Sequence, residues 1–191
     1  MKAVILNGGK ENDLSIAEVL GTIVKELEAT GADIRTFDLR DMNISRCLGC
    51  FNCWVKTPGV CIIDDDGRMI AKEAVQSDLV IFLTPVVFGG YSPELKMALD
   101  RLIPIVSPFF TKIQGEVHHK PRYKHYPSLV GIGILPENDQ NKEKIFKTLV
   151  NKNAVNMHNP SWAACVFSGS QPAEQIRQQI KESLAKVGVI E

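Results

Sequence analysis

The stretch Leu79-Val80-Ile81-Phe82-Leu83-Thr84-Pro85-Val86-Val87-Phe88-Gly89-Gly90-Tyr91-Ser92-Pro93 decides the fold. Five consecutive apolar residues, two of them β-branched, read as a strand buried on both faces, which is what a parallel sheet between two helical layers requires. Pro85 fixes the exit from the strand and the glycine pair allows a tight turn. Ser92 then caps a helix with Pro93 in its first turn, reaching about Leu102.

The same alternation extends outward in both directions. Strands are expected at Ala3–Leu6, Asp33–Phe37, Leu129–Leu135 and Ala163–Phe167. Helices are expected at Leu14–Ala29, Gly67–Gln76, Gln140–Asn153 and Pro172–Val187. In the first helix Ala17, Leu20, Val24 and Leu27 share one face, and Gly31 stops it. Asp33–Phe37 alternates, as an edge strand should. Five strands joined by helical crossovers give an α/β, flavodoxin-like, doubly wound parallel sheet. Its expected order is 2-1-3-4-5, with helices on both faces. Right-handed crossovers then gather the loops after the first, third and fourth strands at the carboxyl edge, where ligands bind in such sheets.

Composition narrows the function. The chain has 191 residues, 45% apolar, with 22 basic and 22 acidic side chains, so no net field draws it to nucleic acid or an anionic membrane. One domain over residues 1–191 is expected, with a cysteine-rich loop at 45–66 and a basic aromatic loop at 115–127. No apolar run reaches the roughly 18 residues of a membrane span, and Met1 runs straight into a strand without a signal peptide. A cytoplasmic location is therefore expected, and there clustered thiols bind metal or do redox work more often than they form disulfides.

Four of the five cysteines fall within fifteen residues: Cys47, Cys50, Cys53 and Cys61, in the pattern C-x2-C-x2-C-x7-C. Three thiols at three-residue steps with a fourth beyond a turn match the ligand pattern of an iron–sulfur cluster. The first three repeat the bacterial ferredoxin spacing, but Cys61 comes later and is followed by Ile62 instead of proline. Zinc accepts four thiolates as well, and bare thiols in a reversible disulfide are a third reading. Cys165 stands apart as a core residue.

Two loops are candidates for a cofactor. After the first strand, Asn7-Gly8-Gly9-Lys10-Glu11-Asn12-Asp13-Leu14-Ser15 reaches a helix N-terminus, where backbone N–H groups favour an anion. Glu11 and Asp13 oppose one, and a plain turn capped by Asn12 or Asp13 is the alternative. After the third strand, Pro85 to Tyr91 offers an apolar wall and backbone donors suited to a flat heteroaromatic ring. Its alternative is a tight turn with Phe88 and Tyr91 packed into the core. The stretch His118 to Tyr126 either holds an anionic cosubstrate or is a solvated loop. Asp64-Asp65-Asp66 reads as the acidic start of a helix, with a metal role as the alternative. There is no Ser-His-Asp set.

Together these pieces resemble the NADPH-dependent FMN reductase group of the flavodoxin-like superfamily and, within it, the iron–sulfur flavoproteins. The resemblance runs from Met1 to about Leu102. It rests on the four cysteines followed by Asp65-Asp66, and on Thr84 to Gly89 leading to Leu95-Lys96 and Asp100-Arg101. It implies FMN, with the phosphate on Gly9, Lys10 and Ser15 and the ring on Pro85, Val86, Val87, Phe88 and Gly89. It implies a [4Fe–4S] cluster on Cys47, Cys50, Cys53 and Cys61, and NAD(P)H as cosubstrate. A small-molecule or protein electron donor and acceptor follow, as does a homodimer or homotetramer. The chain departs from the group's Ser-, Thr- and Arg-rich phosphate loop by carrying Gly9, Glu11, Asp13 and Leu14 there. The expected function is an FMN-dependent oxidoreductase or electron-transfer flavoprotein with no side chain acting as acid or base. A flavin-free metal- or thiol-binding module on the same fold is the alternative.

Overall fold

The computed structural model describes residues 1–10, 13–169 and 171–190, apart from the side chain of Leu14. Strands β1 (Lys2–Asn7), β2 (Asp33–Asp38) and β3 (Leu79–Pro85) carry the first half of the sheet. They are joined by helices α1 (Leu14–Glu28), α2 (Asn52–Val55) and α3 (Asp66–Val75). Helix α4 (Pro93–Asp100) follows β3, and an antiparallel hairpin comes next, β4 (Val106–Ile113) with β5 (Glu116–Pro121). The chain closes with β6 (Ser128–Leu135), α5 (Gln140–Asn156), β7 (Trp162–Ser168) and α6 (Ala173–Lys186).

The parallel sheet has the order β2-β1-β3-β6-β7. The five predicted strands are present in the predicted sequence of neighbours, and the hairpin between the third and fourth shifts their numbering. Period-two alternation splits each strand between two cores. Ala3, Ile5, Ile81 and Leu83 face α1 and α6, while Val4, Leu6, Val80 and Phe82 face α3, α4 and α5. Each of these Val, Leu, Ile and Phe side chains, fully buried, contributes about 1.5–3 kcal/mol. Half of β2 is exposed and only Phe37 in it is buried, as its edge position requires.

The hairpin corrects the expectation of a surface loop at 115–127. Gln114 and Gly115 turn it with φ of 51° and 84°, the left-handed pair that a tight hairpin needs. Pro108 and a register shift between Val106 and Phe110 break the alternation that would have marked β4 as a strand. Past β5, Tyr123, Lys124 and His125 are exposed, as a solvated loop would be, but Arg122 and Tyr126 tie the chain down. Tyr126 donates to the Ile105 carbonyl at 2.6 Å and accepts from the Arg122 amide at 2.8 Å. The Arg122 guanidinium donates to the carbonyls of Pro104 and Val106. Among the described residues no helix is long and apolar enough to cross a membrane.

Candidate functional site

The cysteine segment leaves the carboxyl end of β2 and is closed by a buried ion pair. Arg101, at the end of α4, is 1% exposed and grips Asp65 with both terminal nitrogens at 2.8 Å. The same nitrogens donate to the carbonyls of Ser45 at 2.8 Å and Ile63 at 3.2 Å, so one guanidinium clamps both ends of the segment. A side chain at Gly67 would stand 3.0 Å from the guanidinium carbon, so glycine leaves room for the clamp. Asp65 also accepts from the amides of Ser45 and Gly67, capping α3, and Asp66 accepts from Asn43. The aspartates therefore start a helix, as their sequence suggests, and Asp65 is committed to Arg101.

Burial pushes the Asp65 carboxyl up, but hydrogen bonds from Arg101 and Ser45 outweigh it and hold its pKa at about 2, against 3.8 unperturbed. A depressed carboxylate adds stability that is present above the unfolded pKa and lost as pH falls through the folded one. Unfolding free energy should thus drop by about 2 kcal/mol as pH falls from roughly 4 to 2. Acid titration of the urea midpoint checks this, and Asp65→Asn should flatten that part of the curve.

Within the clamp, Gly49 and Phe51 take φ of 61° and 56° and double the chain back. Cys53 follows on the short α2, where Trp54 anchors the helix by donating to the carbonyls of Ile103 and Val106. Arg68 donates to the carbonyl of Cys61 at 2.7 Å and to that of Ile62 at 3.1 Å. As a result Cys47, Cys50, Cys53 and Cys61 all line one cavity of about 60 Å³, bordered by Ile63 and Arg101. Cys53 is buried, Cys61 half-buried, and Cys47 and Cys50 exposed. Burial raises the Cys53 pKa, and the neighbouring Cys61, Cys47 and Cys50 raise it further. Among the described residues no three Cys, His, Asp or Glu side chains stand close enough together to hold a metal ion. The Nε of Arg101 is buried without a partner. Cys165 lies in the core of β7, its thiol pushed up to about 11 by burial.

The loop after β1 spends much of its donor capacity internally. Gly8 N–H goes to the Leu83 carbonyl at 2.8 Å and Gly9 N–H to the Asn7 side chain at 2.9 Å. Asp13 caps α1, its carboxylate accepting from Ile16 N–H at 3.2 Å. Lys10 is exposed and Ser15 half-buried in the first turn of α1. Glu11 and Asn12, also weighed from the sequence, lie outside the described residues.

The loop after β3 makes a tight turn in which Val87 and Gly90 pair across Phe88 and Gly89, with φ of 50° and 84° at the tip. Its aromatic residues separate. Tyr91 packs edge-on against Phe82 and Phe146 in the core, and its hydroxyl accepts from Asn153. Phe88 is 93% exposed beside the partly exposed Val87, and Val86 is buried below them. Pro85 and Gly89 complete the turn. A groove of about 580 Å³ runs from Cys47 and Gly49 past Gly90 and Tyr91 to Asn153, so the cysteine segment and this loop share one surface.

Sequence reading gave no role to Arg101 or Trp54. The only signal was Asp100-Arg101 within the family pattern, because an arginine at a helix end ordinarily reads as solvated. The basic stretch also gains a packing role, since His119 sits between the rings of Trp54 and Phe110, each 4.7 Å away.

The family model described as NADPH-dependent FMN reductase matches residues 1–122, more than half of the chain. Among curated proteins, the chain is 34% identical over 109 residues to an iron–sulfur flavoprotein of Methanocaldococcus jannaschii, covering 55% of this chain and 53% of that one. It is 30% identical over 104 residues to an iron–sulfur flavoprotein of Archaeoglobus fulgidus, covering 54% of this chain and 46% of that one. The chain thus spans about half the length of the curated relatives it matches. Among solved structures, an FMN-dependent NADH-azoreductase from Bacillus anthracis in complex with FMN superposes with a TM-score of 0.71 at 13% identity, covering 97% of this chain and 98% of that one. An NAD(P)H:quinone oxidoreductase from Methanothermobacter marburgensis gives 0.68 at 13% identity, covering 95% and 94%. These two likenesses establish the fold.

Proposed function

The chain belongs to the NADPH-dependent FMN reductase family, and we propose that it is an FMN-dependent NAD(P)H oxidoreductase or electron carrier with a [4Fe–4S] cluster on Cys47, Cys50, Cys53 and Cys61. One observation carries this reading: four thiols border a single cavity at the carboxyl edge, on a segment that shares a groove with the Gly89–Gly90 turn. The buried Arg101 cation, with Nε unpartnered, offsets the charge of a thiolate-rich centre and offers it a donor. When bound, the flavin supplies two-electron and the cluster one-electron chemistry.

The chain's own residues position these groups. Val87 and Phe88, seated on the buried Val86, give the flavin ring an apolar wall between Pro85 and Gly89, while Lys10 and Ser15 with the α1 N-terminus take the phosphate. The electron donor and acceptor are small molecules or proteins. The protein works in the cytoplasm as a homodimer or homotetramer, without nucleic acid or membrane. The exposed Leu48, Phe51 and Val55 beside the thiols, and Phe109 and Phe110 on the hairpin, supply an apolar face for assembly.

Asp13 tests the phosphate end. Asparagine caps a helix as well as aspartate does, so Asp13→Asn keeps α1 and removes the repulsion. FMN titrated into this variant should bind about 5–10-fold tighter, the effect of roughly 1 kcal/mol of charge repulsion. Unchanged affinity would remove Asp13 from the phosphate site. If neither form binds FMN while iron is retained, the flavin-free thiol module is correct, a reading that the Asp13 cap itself favours.

A further inference from the structure

A second cavity, of about 670 Å³, runs along α3 and lies outside both loops assigned to the flavin. Cys61 and Pro104 line it and the thiol cavity alike, so the two share a wall. Its volume falls within the roughly 300–1,000 Å³ of small-molecule sites. Ala71, Val75 and Ile105 make the floor apolar, the exposed Val60 stands at the rim, and the ring of Tyr123 closes one side with its hydroxyl above Gly59.

The charged lining is one-signed: Arg68, Lys72 and Lys124 contribute to it beside His125 and Gln76, and among the described residues no Asp or Glu does, in a chain whose acids and bases balance overall. Arg68 is occupied, holding the Cys61 and Ile62 carbonyls and pairing with Asp64 at 2.8 Å. His125 faces Ser77 and, at 3.8 Å, Asp78. Among the described residues Lys72 and Lys124 enter no ion pair, and both are exposed, which puts two free cations at the rim of an apolar chamber.

We infer that this cavity is a second small-molecule site, for a ligand with an apolar ring body and one anionic group (carboxylate, sulfonate or phosphate). The body lies against Val75, Ile105 and Tyr123, and the anion meets Lys72 and Lys124. Such a ligand touches the segment that carries Cys61 without occupying the flavin loops. The site stands independently of the flavin reading.

Anthraquinone-2-sulfonate is a suitable probe, titrated into the purified full chain labelled with nitrogen-15 and followed by NMR. Shifts should gather at Val60, Ala71, Val75 and Tyr123, and the double variant Lys72→Glu/Lys124→Glu should weaken binding by about ten-fold or more. A neutral hydroxymethyl analogue should lose far less. Shifts confined to the Pro85–Gly89 loop, equal affinity in the double variant, or no binding at about 1 mM probe would each overturn the assignment. FMN titrated into the same proteins reports the flavin site separately, so failure of one site is not mistaken for failure of the other.

Discussion

Arg101→Met is expected to lower the unfolding free energy by about 3–5 kcal/mol, the usual cost of stranding one partner of a buried ion pair. Arg101 is 1% exposed and the Asp65 side chain 3%, so water cannot replace the lost cation. The carbonyls of Ser45 and Ile63 lose their donor at the same time. The damage should concentrate in the cysteine segment, whose two ends that one side chain joins. Urea unfolding measures the loss, and Lys96→Met is the control. Its partner Asp100 is half-exposed, and the exposed pair is worth under about 0.5 kcal/mol. Arg101→Met/Asp65→Leu removes both charges and should recover part of the loss, less the roughly 1 kcal/mol of the Asp65 cap. If Arg101→Met proves no worse than Lys96→Met, the clamp does not hold the segment.

Cys53→Ser should abolish most metal loading. Cys47 and Cys50 are exposed and have room to adjust, and Cys61 is half-buried. Cys53 is buried on α2, and Trp54 pins that helix to the carbonyls of Ile103 and Val106. No other cysteine can move into its place. In protein prepared without oxygen, iron should fall from near four per chain to below about one. Cys165→Ala should leave it unchanged, since that thiol sits in the core of β7 with no part in the cavity. Equal losses from both variants would mean that iron reports folding and not ligation.

Local rules made the sheet legible. Leu79–Leu83 announced a doubly buried strand, Ser92-Pro93 a capped helix, and the alternation in Asp33–Phe37 an edge; all three appear as read. What escaped depends on tertiary contacts. The hairpin is masked by Pro108 and its register shift, and its closing residues Arg122 and Tyr126 look like surface groups until Pro104, Ile105 and Val106 are brought beneath them. The spacing of the cysteines gave their pattern but not the one cavity that all four line. That rests on Arg101, more than fifty residues from Ser45 in sequence, and no local signal marks it as buried. Asp13 was legible as a competitor for the phosphate position, and it does cap α1. The core position that the sequence also allows for Phe88 is not taken: with φ of 50° it stands exposed at the tip of its turn, while Tyr91 is buried.

The absorption spectrum of the anaerobically purified protein, with iron and flavin counted on the same sample, tests the central claim most directly. Two yellow flavin bands over broad brown absorption are expected, with iron near four per chain and FMN that can be released and rebound. A colourless protein that holds no iron and takes up no added FMN would contradict it.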